Sequence, residues 1–227
     1  MFRYSRLYLM STMDRAAGDV KPRRRYDSTG RRLRAEQARE AILDAARTMF
    51  LTDGYARSTI AGIAREANVS VETIFKAFGG KAGLVRAIWE RGLEGNGPEP
   101  AEQRSDTMRS SETDPRTILE TWGRFTMEVA PLSAPILLLV RTAAAVDTEM
   151  ETLLEEANQA RLARMEVNAR DLLDRGMLRE GITLDEARDV LWTYSAPELY
   201  ELLVLRRGWP LERFGRFVAD GMTAALL

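Results

Sequence analysis

Neither cysteine nor histidine occurs anywhere in the 227 residues. The first absence rules out disulfides and thiolate nucleophiles, and the second removes the commonest acid–base side chain. Together they remove nearly all zinc-site chemistry. Any catalysis would have to rest on carboxylates or lysine, and no cofactor or metal ion is expected. Long apolar runs are missing too. The longest, residues 135–140, ends at Arg141, far short of the roughly 18 uncharged apolar residues of a membrane span. The N-terminal MFRYSRLYLM has basic residues but no apolar h-region and no small-residue cleavage site, so no signal peptide is expected. Met10 or Met13 can serve as the start as well as Met1, and cytoplasmic residence is the expectation. Strand-like alternation and internal repeats are absent as well.

What the sequence does hold is enough apolar residue, 45%, to bury a sizeable core. Its length suits one small domain plus a larger one. The net charge of −1 conceals an asymmetry. Residues 1–92 carry 18 Lys/Arg against 10 Asp/Glu, whereas residues 93–227 carry 15 against 24. A basic N-terminal part on an acidic body is the footprint of a polyanion-binding module attached to something else. Residues 1–34, with the clusters 21–25 and 31–34, have no apolar periodicity and read as a disordered basic arm.

Periodicity then predicts helices. Ile42, Ala45, Ala46, Met49 and Phe50 form one apolar stripe from about residue 35 to Gly54, a left-handed C-cap. Ser58 or Thr59 caps a second helix, Asn68 ends it, Ser70 caps a third and Gly79-Gly80 stops that one. A fourth spans about 81–93. Residues 94–113 read as a linker or a disordered-to-helical connection. Asp114-Pro115 starts a helix expected to stop before Pro131. Further helices follow at about 133–145, 147–175, 183–195 (opened by the capping-box pattern Thr183…Glu186), 197–207 and 211 to the end. The fold class is all-α: a three-helix helix-turn-helix domain at 35–94, then a larger helical domain at 95–227.

The most informative stretch is 59–78. Two short helices joined by a tight turn near Asn68-Val69-Ser70 match the DNA-binding helix-turn-helix, in which the first helix braces the second. Ile60, Ile63, Ala64, Val69, Ile74 and Phe78 are placed to pack the pair, leaving Val71, Glu72, Thr73, Lys76 and Ala77 outward. Phe75 and Phe78 read first as core. Glu72 either complements the helix N-terminal dipole or reads a cytosine amino group, and Lys76 is either a DNA contact or a solvated charge.

Ile42-Leu43-x-Ala45-Ala46, Phe50, Gly54-Tyr55, Ser58-Thr59, Ile63-Ala64, Val69-Ser70, Thr73-Ile74-Phe75, Phe78 and Lys81 resemble, as a set, the N-terminal domain of the tetracycline-repressor (TetR) family of transcriptional regulators. The upstream Arg24-Arg25-Tyr26-Asp27-Ser28 resembles basic arms of actinobacterial members. The resemblance implies phosphate contacts for Thr59 and Lys81, and base or nearby phosphate contacts for Ser70, Val71, Glu72 and Thr73. Phe75 replaces the usual Tyr, losing a hydroxyl–phosphate bond while leaving a ring to pack on sugar. Ala77 replaces a common His or Arg.

The resemblance also implies a homodimer, an operator in double-stranded DNA, and a small-molecule inducer bound in the larger domain. Trp122, Phe125, Leu137, Arg141, Met165, Leu172, Trp192 and Tyr194 are the candidate pocket residues. Leu199, Leu202, Leu203, Leu205, Phe214, Phe217 and Val218 are the candidates for a two-fold interface built on the last two long helices. Two other readings stand beside it. One is a regulator without ligand, whose C-terminal domain only dimerises. The other is a helical enzyme using carboxylates such as Glu155 and Glu156, although adjacent acids on a helix point to different faces.

Overall fold

The computed structural model describes residues 28–227, and every regular element among them is helical. The first, α1 (Ser28–Asp53), starts earlier than the periodicity indicated. Residues 32–37 are exposed, and Arg32 pairs with Glu36 one turn on at 3.1 Å, so helix formation there is local rather than driven by burial. The arm boundary at residue 34 is thereby corrected, because residues 28–34 are helical. The arm itself, residues 1–27, and the 21–25 cluster lie outside the described residues. Farther along, Ile42, Leu43, Ala46 and Phe50 are buried, and the helix ends at Gly54, whose φ of +83° suits its missing side chain.

Three short helices complete the N-terminal unit: α2 (Ile60–Glu66), α3 (Val71–Phe78) and α4 (Lys81–Glu94). Thr59 is the cap of α2, its hydroxyl accepting the Gly62 N–H at 3.0 Å. Ser58 instead is buried and donates back to the Gly54 carbonyl at 2.8 Å, fastening the end of α1. Asn68, with φ of 53°, makes the turn between α2 and α3; its short polar side chain tolerates the left-handed region. Ile63, Ala64, Ile74, Leu84, Val85 and Ile88 close over α1.

The stretch 94–113, read as a linker or a disordered-to-helical connection, contains the helix α5 (Ala101–Ser111). Its sequence offers almost no apolar stripe, which is why periodicity missed it. Remote charges hold it instead. Arg164 pairs with Glu102 at 3.3 Å and Asp106 at 2.8 Å, and Arg109 reaches Asp171 at 3.3 Å.

The expected break at Pro131 is also corrected, since α6 (Pro115–Ala144) runs through both Pro131 and Pro135. A proline at position 135 cannot supply the N–H that the Pro131 carbonyl would otherwise accept. Arg47 of α1 donates to that carbonyl at 3.2 Å. By length and composition α6 is the one described helix that qualifies as a membrane span, contrary to the reading of the apolar runs. It packs nonetheless against α1, α4, α5 and the later helices Thr148–Asp174, Pro197–Tyr200 and Leu211–Leu226, as the central helix of a core does.

The remaining elements are α7 (Thr148–Asp174), α8 (Leu184–Tyr194), α9 (Pro197–Tyr200) and α10 (Leu211–Leu226). Both halves of the expected capping box are made, Thr183 accepting from the Glu186 N–H and Glu186 from the Thr183 N–H. The single helix expected at 197–207 is instead the short α9 continued by a π-helical segment over 201–206. At the α6–α10 crossing, a Cβ on Gly123 would lie 2.6 Å from the Gly215 carbonyl oxygen, so only glycine permits this approach.

Two apolar cores result. One joins α1–α4 to the second half of α6 and the first half of α7 through Ile136, Val140, Met150 and Leu153. The other lies among α6, α7, α8 and α10. A division at 94/95 therefore falls between α4 and α5 along the chain, but the first core continues across it.

Candidate functional site

The leading edge of α3 is built by its cap. Ser70 Oγ accepts the Thr73 N–H at 3.1 Å and shares a 2.8 Å hydrogen bond with Thr73 Oγ1. Burial of Ile74, with no exposed surface, fixes the rotation of the helix about its axis. Val71, Glu72, Thr73, Lys76 and Ala77 consequently face outward together. Phe75 joins them with 52% of its surface exposed, which corrects its reading as a core residue: it lies one position past Ile74, beyond the buried stripe. Phe78 is half-buried, with the Arg39 guanidinium 4.6 Å above its ring.

Thr59 and Lys81 flank this edge. Thr59 is exposed, and its hydroxyl already accepts one hydrogen bond as a cap, leaving its proton to donate. Lys81 is half-buried. Its ammonium donates to the Tyr55 carbonyl at 2.6 Å and sits 4.0 Å from the Tyr55 ring centre. Burial lowers the Lys81 pKa, and Asp147 partly opposes that shift. Burial first, and then the Asp147 and Glu149 carboxylates, push the Tyr55 phenol up to about 12. Tyr55 and Lys81 thus both lie in the field of the residue that caps α7.

The arrangement is a capped helix presenting a polar, partly aromatic edge from a basic unit, braced by a second helix through a buried core. Residues 42–88 match the family model described as bacterial regulatory proteins, tetR family. This N-terminal unit is a TetR-family domain.

The whole fold, the TetR domain included, is similar to several solved structures. NalD from Pseudomonas aeruginosa, the secondary repressor of the MexAB-OprM multidrug efflux pump, aligns with a TM-score of 0.67 at 21% identity, covering 85% of this chain and 98% of that one. SmeT in complex with triclosan gives 0.65 at 24% identity, covering 84% and 91%. A transcriptional regulator from Saccharomonospora viridis in complex with choline gives 0.63 at 19% identity, covering 84% and 98%. No curated protein matches the chain significantly.

Behind the TetR domain lies a cavity of about 380 Å³. It is lined mostly by apolar side chains from α4, α5, α6, α7, α8 and α10, with Ser195–Pro197 also in its wall, and is partly open. Among the sequence candidates, Trp122, Phe125, Leu137, Met165 and Tyr194 line it. Arg141 does not: it faces outward in ion pairs with Glu198 at 2.8 Å and Glu201 at 2.9 Å. Leu172 is fully buried in the second core. Trp192 stands behind the wall, its ring under the Arg161 guanidinium at 4.5 Å.

Trp89, Ser105, Arg161, Arg164 and Asn168 also line the cavity and were not anticipated. Ser105 accepts the Trp122 indole N–H at 3.0 Å, so the overlooked α5 shapes the wall. The spacing of Arg161, Arg164, Met165 and Asn168 along α7 was the available signal, because i, i+3, i+4 and i+7 share one helix face.

The expected interface residues divide. Leu202 and Leu205 are half exposed, Phe217 is 37% exposed, and Leu199 and Leu203 are intermediate. Phe214 and Val218 are 1% exposed and line the cavity instead. The 214–218–222–226 stripe of α10 turns toward α6 and the second core, so these two side chains are not on an outer face.

Proposed function

We propose that this chain is a homodimeric, sequence-specific DNA-binding transcriptional repressor, released from its operator when a small molecule occupies the helical C-terminal domain. One observation carries the reading: the exposed edge of α3 and the wall of the cavity belong to a single packed unit. α4 follows α3 directly and sends Trp89 and Leu93 to the cavity. It also packs so closely on α6 that a Cβ on Gly92 would lie 3.1–3.2 Å from the Leu132–Ser133 backbone. A ligand that favours one setting of α4 against α6 shifts the population of DNA-competent conformers by its differential affinity for them. Neighbours of this fold crystallised with triclosan and with choline support a ligand role for the cavity.

In this reading Thr59 and Lys81 meet phosphates. Ser70, Val71, Glu72, Thr73 and Lys76 face the groove, and Phe75 packs on a sugar. The protein acts in the cytoplasm and is not an enzyme. Glu155 and Glu156 are both exposed and serve separate partners, Gln159 and Arg86 respectively, which gives them no shared site. The cavity argues against a C-terminal domain that only dimerises. The test is retention of promoter fragments by purified protein. Sequence-selective, salt-sensitive binding is expected, and indifference to sequence across a fragment library would overturn the reading.

A further inference from the structure

We infer that the cavity takes a ligand with an apolar body and one anionic group, a carboxylate or its like, anchored by Arg161; this rests on the ligand-binding reading above. The cavity wall is apolar apart from a few groups whose hydrogen bonding can be accounted for one by one. Glu102 and Arg164 neutralise each other, and Asp106 gives Arg164 a second carboxylate. Ser105 is used by Trp122. Arg161 differs. No carboxylate lies within ion-pair distance of it among the described residues. Its Nη1 donates only to the Trp192 carbonyl at 2.5 Å and to Ser195 Oγ at 3.2 Å, and its Nε is sealed from solvent without a partner. Both acceptors are neutral, and the Trp192 ring lies beneath the guanidinium. The one carboxylate among the described residues whose charge reaches it, Glu198, lies beyond ion-pair distance and is engaged by Arg141. The charge of a partly buried guanidinium against an apolar cavity is therefore only partly balanced. An anion entering the cavity would balance it, and a cation would be repelled.

A second polar contact follows from Asn168. This residue is 4% exposed and lines the cavity, yet its amide has no hydrogen bond among the described residues, and Oδ1 is fully shielded. A buried amide without a partner is costly. Asn168 lies two turns beyond Arg161 on the same face of α7, about 10 Å along the axis at 1.5 Å per residue. A ligand held head-first by Arg161 therefore places its far end near Asn168, whose Nδ2, unlike the shielded Oδ1, is left to donate to a hydroxyl or carbonyl in preference to a methyl. Trp89, 8% exposed with an unpartnered indole N–H, lines the cavity as well.

Decanoate, decanol, decyltrimethylammonium and 10-hydroxydecanoate, each below its aggregation concentration, separate these contributions by calorimetry and thermal shift on the full chain. Decanoate is expected to bind at least tenfold more tightly than decanol, with the ammonium weakest, and 10-hydroxydecanoate severalfold more tightly than decanoate. Arg161→Met should bring decanoate and decanol to equal affinity, while Arg161→Lys keeps the preference. Asn168→Leu should reverse the order of decanoate and its hydroxy derivative. Retained decanol binding by the Arg161→Met protein shows that it is folded. Equal affinity of the wild type for acid and alcohol, or a preference surviving Arg161→Met, overturns the anion assignment and leaves the ligand reading standing. If no probe binds while a chemically diverse library yields a ligand, the proposal fails alone; if the library also yields none, the ligand reading fails with it.

Discussion

Single side chains around α3 divide into those that hold the helix and those free to meet DNA, and the division is measurable. Ser70 is a cap first. Its hydroxyl satisfies the Thr73 N–H, and Ser70→Ala should cost about 1 kcal/mol of stability, as loss of an N-cap does. Thr73 makes no contact that Ser70 needs in order to cap. Thr73→Ala should therefore change stability by less than about 0.5 kcal/mol while altering which operator sequence is preferred. Equal weakening on all sequences would remove Thr73 from base reading. Lys81 carries both duties, since its ammonium already serves the Tyr55 carbonyl and has two further N–H groups to offer. Lys81→Met keeps most of the stem against Tyr55. It is expected to weaken binding to every sequence and to lessen the slope of log K against log salt by about 0.9, one phosphate contact. A slope unchanged from wild type would confine Lys81 to its structural role.

Helices were legible in the sequence where their signals are local, and illegible where remote partners decide. Thr59, Ser70, Asp114 and Thr183 announce their helices because a cap and the N–H groups it serves lie within three residues. The fate of α6 at Pro131 and Pro135 could not be read that way. The carbonyl left without its helical N–H is met by Arg47, 84 residues upstream. Likewise α5 has polar residues on nearly every side and is fixed by Arg164 and Arg109; the i, i+4 spacing of Glu102 and Asp106 puts charge, not an apolar stripe, on the packed face. The cavity was half legible for the same reason. Aromatic and large apolar candidates such as Trp122 and Phe125 are recognisable by type, whereas Arg161 and Asn168 look like ordinary surface residues until α7 is packed.

The docking of α5 is open to acid. Hydrogen bonding and charge from Arg164 and Arg109 hold the Asp106 carboxyl below its ordinary 3.8, and Arg104 holds Glu128, beside the turn that precedes α5, below 4.5. A depressed folded-state pKa contributes stability above the unfolded value and loses it as pH falls through the folded one. Thermal melting should thus be insensitive to these groups above about pH 5 and fall below pH 4. Asp106→Asn should start from a lower melting point at neutral pH and show a shallower acid decline. Parallel curves for the two proteins would assign the acid sensitivity elsewhere.

At the scale of the whole molecule the outstanding feature is apolar surface that the described residues leave uncovered. Leu202 is 52% and Leu205 53% exposed on the π-helical segment, and Phe217 is 37% exposed on α10, packed edge-on against Tyr194 and Trp209. Exposed apolar residues gathered on neighbouring elements mark an association surface, and a two-fold axis through it would repeat the same patch on both subunits. Such a dimer carries two copies of α3, which successive major grooves can accept only when they lie about 34–36 Å apart. Phe214 and Val218 face the cavity from the same α10 that carries Phe217 outward. In the proposed function, ligand occupancy and subunit geometry therefore meet on opposite sides of one helix. Replacing Leu202 and Leu205 together by aspartate should leave the fold intact, because both side chains are already half in water. It should give a monomer in sedimentation equilibrium, with operator affinity reduced more than tenfold and decanoate affinity nearly unchanged. A variant that remains dimeric would move the interface off this surface, and one that is monomeric yet binds operator as tightly as wild type would show that pairing of the two recognition helices contributes nothing to affinity.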